Sequence, residues 1–398
     1  MWYDDVHDCY RGPAFRNGSL DGVHVVESRG GAQIRHSLFE RLGDDGTNQF
    51  GGFSRLSALR ENGDGTMDVI YKGNISEYNY YTYIPASRTP HGLSQPFKAG
   101  DKMVIYTIDG RLVLIAHALT ATEQAHSLKN DPELIAAGGR DTFPTYHVKV
   151  QIDEYHPESL EPFLPYLDEY TDDKNALLDS GYNGYEPKYK VFVHQSGYAC
   201  DGALLDNVKY SCGKSNAAHL RVLDATIKNC TFEHLGSCAI KAQYNDYWGE
   251  SAIVQDMLIE NNIISHTGFK FEYNKVMKNW SSIVIDAPGE LDLNANPLYR
   301  NVTIRGNVFK NRSTDYAMFL DSISNLVIEN NDFGRTKDME GVGGKNISMY
   351  LRNCVTVKIE GNTYPNPTMP VKMSIDIANV KGLTGKDVNG GDMFPECK

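Results

Sequence analysis

Apolar and polar residues alternate along much of this chain in one recurring template: apolar, gap, apolar, then an Asn or Gly corner and an aromatic or aliphatic residue. The late copies begin at Val302, Leu326 and Val357, 24 and 31 residues apart. Internal repeats of this size are typical of a solenoid. The copies are 32–39, 225–232, 257–264, 302–309, 326–333 and 357–364, with a degenerate copy at 204–210.

The template has a period of two, which predicts strands, and helix-capping residues are scarce. The Asn or Gly at each corner suits a residue in the left-handed backbone region, which these residue types reach at low cost. We therefore predict an all-β chain folded as a right-handed parallel β-helix, with ladders of Ile and Phe inside. A leucine-rich repeat is the alternative, but its Leu consensus and regular repeat length are missing.

The template disappears between Phe53 and about Val148. Two alternating apolar runs flank Asp109-Gly110 there, a strong hairpin signal, and we predict a small antiparallel β-barrel inserted between coils. The resulting organisation is β-helix coils over 1–52, the barrel over 53–148 and further coils over 149–398. Within the last part, 151–189 is rich in Tyr and Pro and is expected to be irregular.

Composition narrows the possible partners. The chain has 398 residues and a net charge of −12, so we expect no nucleic-acid partner, because nothing neutralises phosphates in bulk. No apolar run is long enough to cross a membrane.

Three of the seven cysteines, Cys230, Cys238 and Cys354, fall in or beside strand-like runs and are predicted to be small buried apolar residues. The first residues carry no basic start and no apolar stretch, so the chain is expected to begin inside a fold, with its first coils truncated.

The stretch from Asp21 to Phe50 carries the candidate chemistry. It begins with Asp21 and ends shortly after the pair Asp44-Asp45. If each strand-like run forms one side of a coil, one return of the chain brings the pair beside Asp21. Three acids with no basic partner in the motif indicate hydrolytic acid/base chemistry. The alternative is that Asp and Gly are simply turn formers at coil corners.

The motif DGVHVVESRGGAQIRHSLFERLGDDGTN, followed by an inserted barrel and later by YWGESAIVQDMLIENNII, resembles glycoside hydrolase family 110. The resemblance implies a right-handed β-helix with barrel inserts and an exo-acting bacterial α-galactosidase that releases terminal α-1,3-linked galactose from oligo- or polysaccharides with inversion. It also implies an extracellular or periplasmic enzyme, and it maps the family's catalytic aspartates onto Asp21, Asp44 and Asp45. We expect no cofactor and no metal, because neither a Cys/His cluster nor a calcium-loop spacing accompanies the three acids. After Asn48 the chain departs from the family, because Gln49-Phe50-Gly51 replaces a His-Gly pair.

We expect Asp44 to act as the general acid and Asp21 with Asp45 as the base pair that holds water. This division of roles follows an analogy with polygalacturonases, which share the single-then-double aspartate pattern. In an inverting enzyme the acid and base carboxyl groups lie roughly 6.5–9.5 Å apart. Crowded carboxylates raise one another's pKa, which would keep the acid protonated near neutrality.

Four further residues are candidates for substrate binding: His24, Asn48, Trp248 and Glu250. Trp248 could stack on the galactose ring and Glu250 could accept hydrogen bonds from its hydroxyls. A packed Trp beside a solvent-facing Glu is the alternative. His24 alternates with Val23 and Val25 and is expected to line the cleft beside Asp21, unless it is a satisfied core or surface histidine.

Other functions compete with this hypothesis. A β-helix polysaccharide lyase would abstract a proton beside a uronate, usually with a Lys or Arg base and often with calcium. A polygalacturonase-like hydrolase ranks lower, because Gly-His-Gly and Arg-x-Lys motifs are missing downstream. A non-catalytic carbohydrate-binding β-helix would need none of the three aspartates. The sequence gives no indication of oligomeric state.

Overall fold

The chain is predominantly β-strand in a computed structural model. The structure describes residues 2–4, 9–11, 21–26, 28–51, 54–72, 97–121, 123–127, 144–167, 191–195, 199–243, 253–268, 281–287, 296–310, 316–334, 348–364, 375–386 and 394. Within these ranges, no helix has the length and apolar character needed to cross a bilayer. The all-β prediction is confirmed at this level.

The described part of the chain begins with six short strands, four of which form the first coil. The first part of the chain contains β1 Trp2–Asp4, β2 Cys9–Arg11, β3 Val23–Val26, β4 Gln33–Arg35, β5 Leu38–Glu40 and β6 Thr47–Phe50. Strands β1 and β2 pair antiparallel, whereas β3 and β6 pair in parallel. A single coil therefore separates β3 from β6.

An antiparallel unit follows. It contains β7 Ser54–Glu61, β8 Thr66–Lys72, β9 Lys102–Thr107, β10 Leu112–Ala118, β11 Glu123–Ser127, β12 Pro144–Tyr155 and β13 Val191–Gln195. A short helix α1 (Pro157–Leu160) and a 3-10 helix (Glu161–Tyr166) come between β12 and β13. The strand order is β10-β9-β13-β7-β8-β12-β11, and β10 also pairs with β12, so six strands close on themselves.

The limits of this unit differ from those expected from the sequence. Position 148 lies in the middle of β12, and β13 pairs with β7 and β9 of the same sheet, so the unit extends from Ser54 to Gln195. Residues 151–155 are strand and not irregular. The hairpin predicted at Asp109-Gly110 is confirmed, since β9 and β10 pair antiparallel around it and Gly110 has a φ of 82°. The rest of the irregular segment, from 168 to 190, lies outside the described residues.

The remaining strands return to the coil pattern. They are β14 Leu204–Asp206, β15 Lys209–Ser211, β16 Ala218–Arg221, β17 Thr226–Lys228, β18 Thr231–Leu235, β19 Ile240–Gln243, β20 Gln255–Glu260, β21 Ile263–Thr267, β22 Ser281–Asp286, β23 Tyr299–Arg305, β24 Val308–Lys310, β25 Tyr316–Asp321, β26 Ile323–Glu329, β27 Met349–Arg352, β28 Val355–Glu360, β29 Ile375–Ala378 and β30 Lys381–Gly385.

Three parallel sheets result, and we call their assembly the coil stack. Sheet 1 has the order β3-β6-β16-β19-β22-β25-β27-β29, sheet 2 the order β4-β14-β17-β20-β23-β26-β28-β30, and sheet 3 the order β5-β15-β18-β21-β24. The chain visits sheets 2, 3 and 1 in turn, and each strand pairs with the strand one coil later. The antiparallel unit is inserted between the first coil and the second, so β6 of the first coil pairs directly with β16.

The interior of the coil stack is built from equivalent residues of successive coils. Leu205, Ile227, Ile259, Ile304 and Ile328 are in register along sheet 2 and are fully buried. The aromatic position of the template also stacks, as predicted. The neighbouring ring pairs, with centroids 5.0–5.5 Å apart, are Phe39–Tyr210, Tyr210–Phe232, Phe309–Phe333 and Phe333–Tyr364.

The corner between sheets 2 and 3 explains the Asn and Gly of the template. Every member of this corner column has a positive φ: Asn207, Asn229, Asn261, Gly306, Asn330 and Gly361. Asparagine and glycine adopt this conformation more easily than other residues. The residue directly after the corner forms a buried ladder of Asn262, Asn307, Asn331 and Asn362. The side-chain oxygens of the last three accept from the amide and the Nδ2 of the preceding asparagine, and that of Asn262 accepts from the amide of Cys230. These bonds satisfy polar backbone groups at a buried bend.

The cysteine prediction is confirmed, since Cys230, Cys238 and Cys354 are buried free thiols. Burial raises the pKa of the Cys230 thiol to about 11 and that of the Cys354 thiol to about 12. Such thiols are almost entirely protonated at neutral pH, and they behave as small apolar side chains.

Candidate active site

The three aspartates meet at the first coil of sheet 1. Asp21 precedes β3, and Asp44 and Asp45 precede β6, the neighbouring strand of the same sheet. The amide of Gly22 donates to the carbonyl of Asp45 over 2.9 Å. One carboxylate oxygen from each aspartate lies within 4.8 Å of those from the other two. The expected return of the chain therefore does bring Asp44 and Asp45 beside Asp21.

Asp45 is the buried member of the cluster, with 6% of its surface exposed. Its Oδ1 accepts from the amide and the Nδ2 of Asn216 at 3.1 and 2.9 Å, and its Oδ2 is 2.9 Å from Nδ1 of His219. Burial by itself would raise the pKa of Asp45. Hydrogen bonds from His219, Ser215 and Asn216 outweigh burial and hold this pKa well below its ordinary value. Burial, and then the charge of Arg221, lower the pKa of His219, so the hydrogen bond of its neutral ring and not its charge acts on Asp45 at neutral pH. Asp45 is therefore an anion at neutral pH.

Asp21 and Asp44 have the opposite tendency. Burial, and then the charge of Asp45, raise the pKa of Asp21. The same two causes, in the same order, raise the pKa of Asp44, whose side chain is exposed. A fixed anion beside two carboxyls that hold their protons more tightly is an arrangement suited to general acid/base chemistry.

The backbone holds the three carboxyl groups close together. The amide of Asp45 donates to Oδ1 of Asp21 over 3.2 Å, and one oxygen of each carboxyl group lies within 4.8 Å of one oxygen of each of the other two. The spacing of roughly 6.5–9.5 Å in inverting enzymes is defined between whole carboxyl groups, so the expected room for a water stays a prediction.

Two of the predicted binding residues lie beside the cluster. Nδ1 of His24 is 3.4 Å from Oδ2 of Asp21, and 42% of the His24 side chain is exposed. Asn48 is buried on β6; its Oδ1 accepts from Nη2 of Arg221 over 2.6 Å, and its side chain hydrogen-bonds Asp21. His24 and Asn48 are paired in register on β3 and β6. Trp248 and Glu250 lie outside the described residues.

The sequence analysis missed Asn216, His219 and Arg221. His219 pairs in register with Asn48, and Arg221 with Phe50. Arg221 is fully buried, with its guanidinium 4.8 Å from the centre of the Phe50 ring. The available signal was the degenerate template copy at 204–210. The step along the sequence from Gln33 to Thr47, repeated from Leu204, ends at Ala218 and places 218–221 on the strand next to β6.

The same three carboxylates offer oxygen ligands close enough together to hold a hard divalent cation. His219 and Asn216 already occupy both oxygens of Asp45, so a cation would share that carboxylate with protein donors. Among the described residues, no other group of three or more His, Cys, Asp or Glu side chains has this proximity.

Comparisons with known proteins add no assignment. No protein-family model matches the chain, and no curated protein matches it.

Proposed function

We propose that the chain is an inverting exo-glycoside hydrolase, which releases terminal α-linked galactose from oligo- or polysaccharides, with α-1,3 as the preferred linkage. The observation that carries the proposal is the division of the cluster into one buried anion, Asp45, and two carboxyls with raised pKa, Asp21 and Asp44. The substrate class, the extracellular or periplasmic setting and the inversion rest on the family resemblance and not on the geometry.

The proposed fold is the right-handed parallel β-helix for the coil stack and a small β-barrel for the antiparallel unit. Three parallel sheets visited in cyclic order support the first. Closure of six strands through the β10–β12 pairing supports the second. The barrel is tied to the coil stack by Arg300, whose guanidinium contacts Glu154 with both Nη atoms, and by Arg29, which pairs with Asp101.

In the proposed mechanism Asp44 protonates the glycosidic oxygen. It is the exposed aspartate, so a leaving group can approach it, and burial together with the charge of Asp45 raises its pKa, which favours the protonated form. Asp21 and Asp45 hold the attacking water, and the negative charge of Asp45 assists Asp21 in accepting its proton. The anomeric oxygen of the product then comes from that water, and the proton on the leaving alcohol comes from Asp44. We expect this chemistry to continue in the presence of EDTA, since no step requires a metal.

A substrate panel tests the proposed function. Purified protein is incubated with a chromogenic α-galactoside and with Gal-α-1,3-Gal and its 1,4- and 1,6-linked isomers. We expect galactose release from the 1,3-linked disaccharide to be fastest. Absence of release from every α-galactoside would contradict the proposal. Rising ultraviolet absorbance on an acidic polysaccharide would instead identify a lyase, because elimination leaves an unsaturated product.

The role of His219 can be tested through the pH dependence of this activity. His219→Leu removes the donor to Asp45, so the pKa of Asp45 should rise, and the base is then protonated at higher pH. We expect the acidic limb of the kcat/KM profile to move up by roughly one to two pH units, since a hydrogen bond to a charged group contributes roughly 1.5–3 kcal/mol and one pKa unit corresponds to about 1.4 kcal/mol. His219→Asn keeps an N–H close to the position of Nδ1 and should restore the wild-type limb. If the acidic limb lies at the same pH in wild type and in His219→Leu, His219 does not set the pKa of Asp45.

A further inference from the structure

Sheet 1 carries a second group of side chains on its outer face, several strands from the aspartates. Along β22, β25 and β27, successive side chains point alternately into the coil stack and away from it. Those that point inward belong to the main core. The outward-facing Val284 and Phe319 form a separate small apolar cluster with Cys238, against which Tyr350 packs. Val284, Phe319 and Cys238 are at most 2% exposed, so they form a buried base, and the partly exposed Tyr350 lies at its edge.

Tyr350 is the partly exposed edge of this cluster. Its ring stacks on that of Tyr316, with centroids 5.5 Å apart and an interplanar angle of 27°, and meets Phe319 edge-on at 5.4 Å. The hydroxyl of Tyr316 donates to Oδ2 of Asp376 over 2.9 Å. Tyr316, Tyr350 and Asp376 are all partly exposed. The ring of Tyr350 is thus held in a fixed orientation at the surface, which lowers the entropic cost of stacking on a ligand.

Arg352 lies two residues farther along the same strand, and its guanidinium is fixed by contacts with buried side chains. Its Nη2 is 2.6 Å from Oδ2 of Asp321 and 3.6 Å from Oδ1 of Asp286, and its guanidinium is 5.4 Å from the centre of the Phe319 ring. Asp321 is fully buried, whereas 27% of the Arg352 side chain is exposed. The anchored guanidinium therefore presents a planar donor group beside the Tyr350 ring.

The charges limit what can bind here. Two carboxylates, Asp286 and Asp321, lie against the guanidinium of Arg352, and a third, Asp376, accepts from the hydroxyl of Tyr316. Burial, and then the charge of Asp321, raise the pKa of Asp286 to about 6, so a negative excess remains at neutral pH. Uronates, sulfated sugars and phosphates are repelled by this excess. A neutral pyranose fits, because its apolar face can pack on an aromatic ring while its hydroxyls bond to planar polar groups.

The group is also aligned with the aspartate cluster. One register row of sheet 1 runs through Asn48, His219, Lys241, Val284, Phe319 and Tyr350. Four strand spacings separate His219 from Tyr350, ~19 Å at ~4.8 Å each. A ligand that reaches both places is an oligosaccharide and not a single sugar.

We propose that Tyr350 and Arg352 form a distal subsite for the neutral glycan that bears the terminal galactose. The subsite rests on the proposed function for the identity of its ligand. The subsite makes the protein selective for long substrates, since only an oligosaccharide gains the additional contacts with Tyr350 and Arg352. A monosaccharide glycoside occupies the aspartate cluster alone.

Tyr350→Ala and Tyr350→Phe test the subsite. Each is combined with Asp44→Asn, and calorimetry gives the Kd of a linear galacto-tetrasaccharide ending in α-1,3-linked galactose and of methyl α-galactoside. Loss of the ring should weaken tetrasaccharide binding about three- to tenfold and leave methyl α-galactoside unchanged, whereas phenylalanine should keep the wild-type affinity. Arg352→Gln should also weaken only the tetrasaccharide. Arg305→Gln is its matched control, because Arg305 is ion-paired with Glu260 on the outer face of sheet 2.

An unchanged tetrasaccharide affinity in both Tyr350→Ala and Arg352→Gln would overturn the subsite. So would an equal loss for the two ligands, which would place Tyr350 in the catalytic pocket. The test is separate from the proposed function, because it measures binding without turnover. If wild-type protein hydrolyses no α-galactoside but tetrasaccharide binding still depends on the Tyr350 ring, the subsite holds and the hydrolase proposal fails.

Discussion

Replacing Asp44 with asparagine should lower the turnover of a terminal α-galactoside by roughly 10²–10⁴-fold, the usual cost of losing a positioned general acid or base. Asp21→Asn and Asp45→Asn should have effects of the same order, because each removes part of the base. Asp44 is exposed, and asparagine has nearly the same shape, so the thermal transition of Asp44→Asn should remain close to that of wild type. Steady-state kinetics and thermal unfolding measure the two quantities.

Asp256→Asn is the matched control for this series. Asp256 is an exposed corner residue of sheet 2 with a φ of 56°, which asparagine also tolerates. It should keep wild-type turnover. Wild-type turnover in any two of the three cluster variants would contradict the assignment of these aspartates.

Asn307→Ala should lower the free energy of unfolding by about 3 kcal/mol or more. Oδ1 of Asn307 accepts from both the amide and the Nδ2 of Asn262, and its own Nδ2 donates to the carbonyl of Ile259. Alanine leaves these groups buried without partners, and each such group costs roughly 1–3 kcal/mol. Denaturant unfolding followed by circular dichroism measures the change.

A corner asparagine outside the buried ladder provides the comparison. Asn325 is exposed, has a φ of 56°, and its Nδ2 donates to Oδ1 of Asn301. Glycine occupies the same column at Gly382 with a φ of 63°, so Asn325→Gly should cost less than about 1 kcal/mol. If the two variants lose equal stability, the internal ladder is not a main support of the coils.

The sequence predicts the coil stack well because the interactions behind it are local and repeat. Each template copy carries its own apolar pair, its own left-handed corner and its own aromatic residue, so Ile227, Asn229 and Phe232 could be assigned without knowing their neighbours. The parallel sheets then follow from stacking identical units. The handedness of the coils stays a prediction.

The site is only partly predictable, because its contacts join residues far apart in the sequence. Asp21 and Asp45 are one coil apart, and their proximity was predicted. The His219 contact with Asp45 spans 174 residues, most of them in the antiparallel unit, and no short motif records it. The limits of that unit were missed for the same reason, since β13 joins β7 and β9 only through long-range pairing.

The stereochemistry of the first product tests the central claim most directly. Proton NMR of galactose freshly released from Gal-α-1,3-Gal should show the β-anomer first, with the equilibrium mixture appearing later, because Asp21 and Asp45 deliver water to the face opposite the leaving group. An initial α-anomer would mean retention. That result would contradict the water-activating role of Asp21 and Asp45, because a retaining enzyme uses one of its carboxylates as the nucleophile.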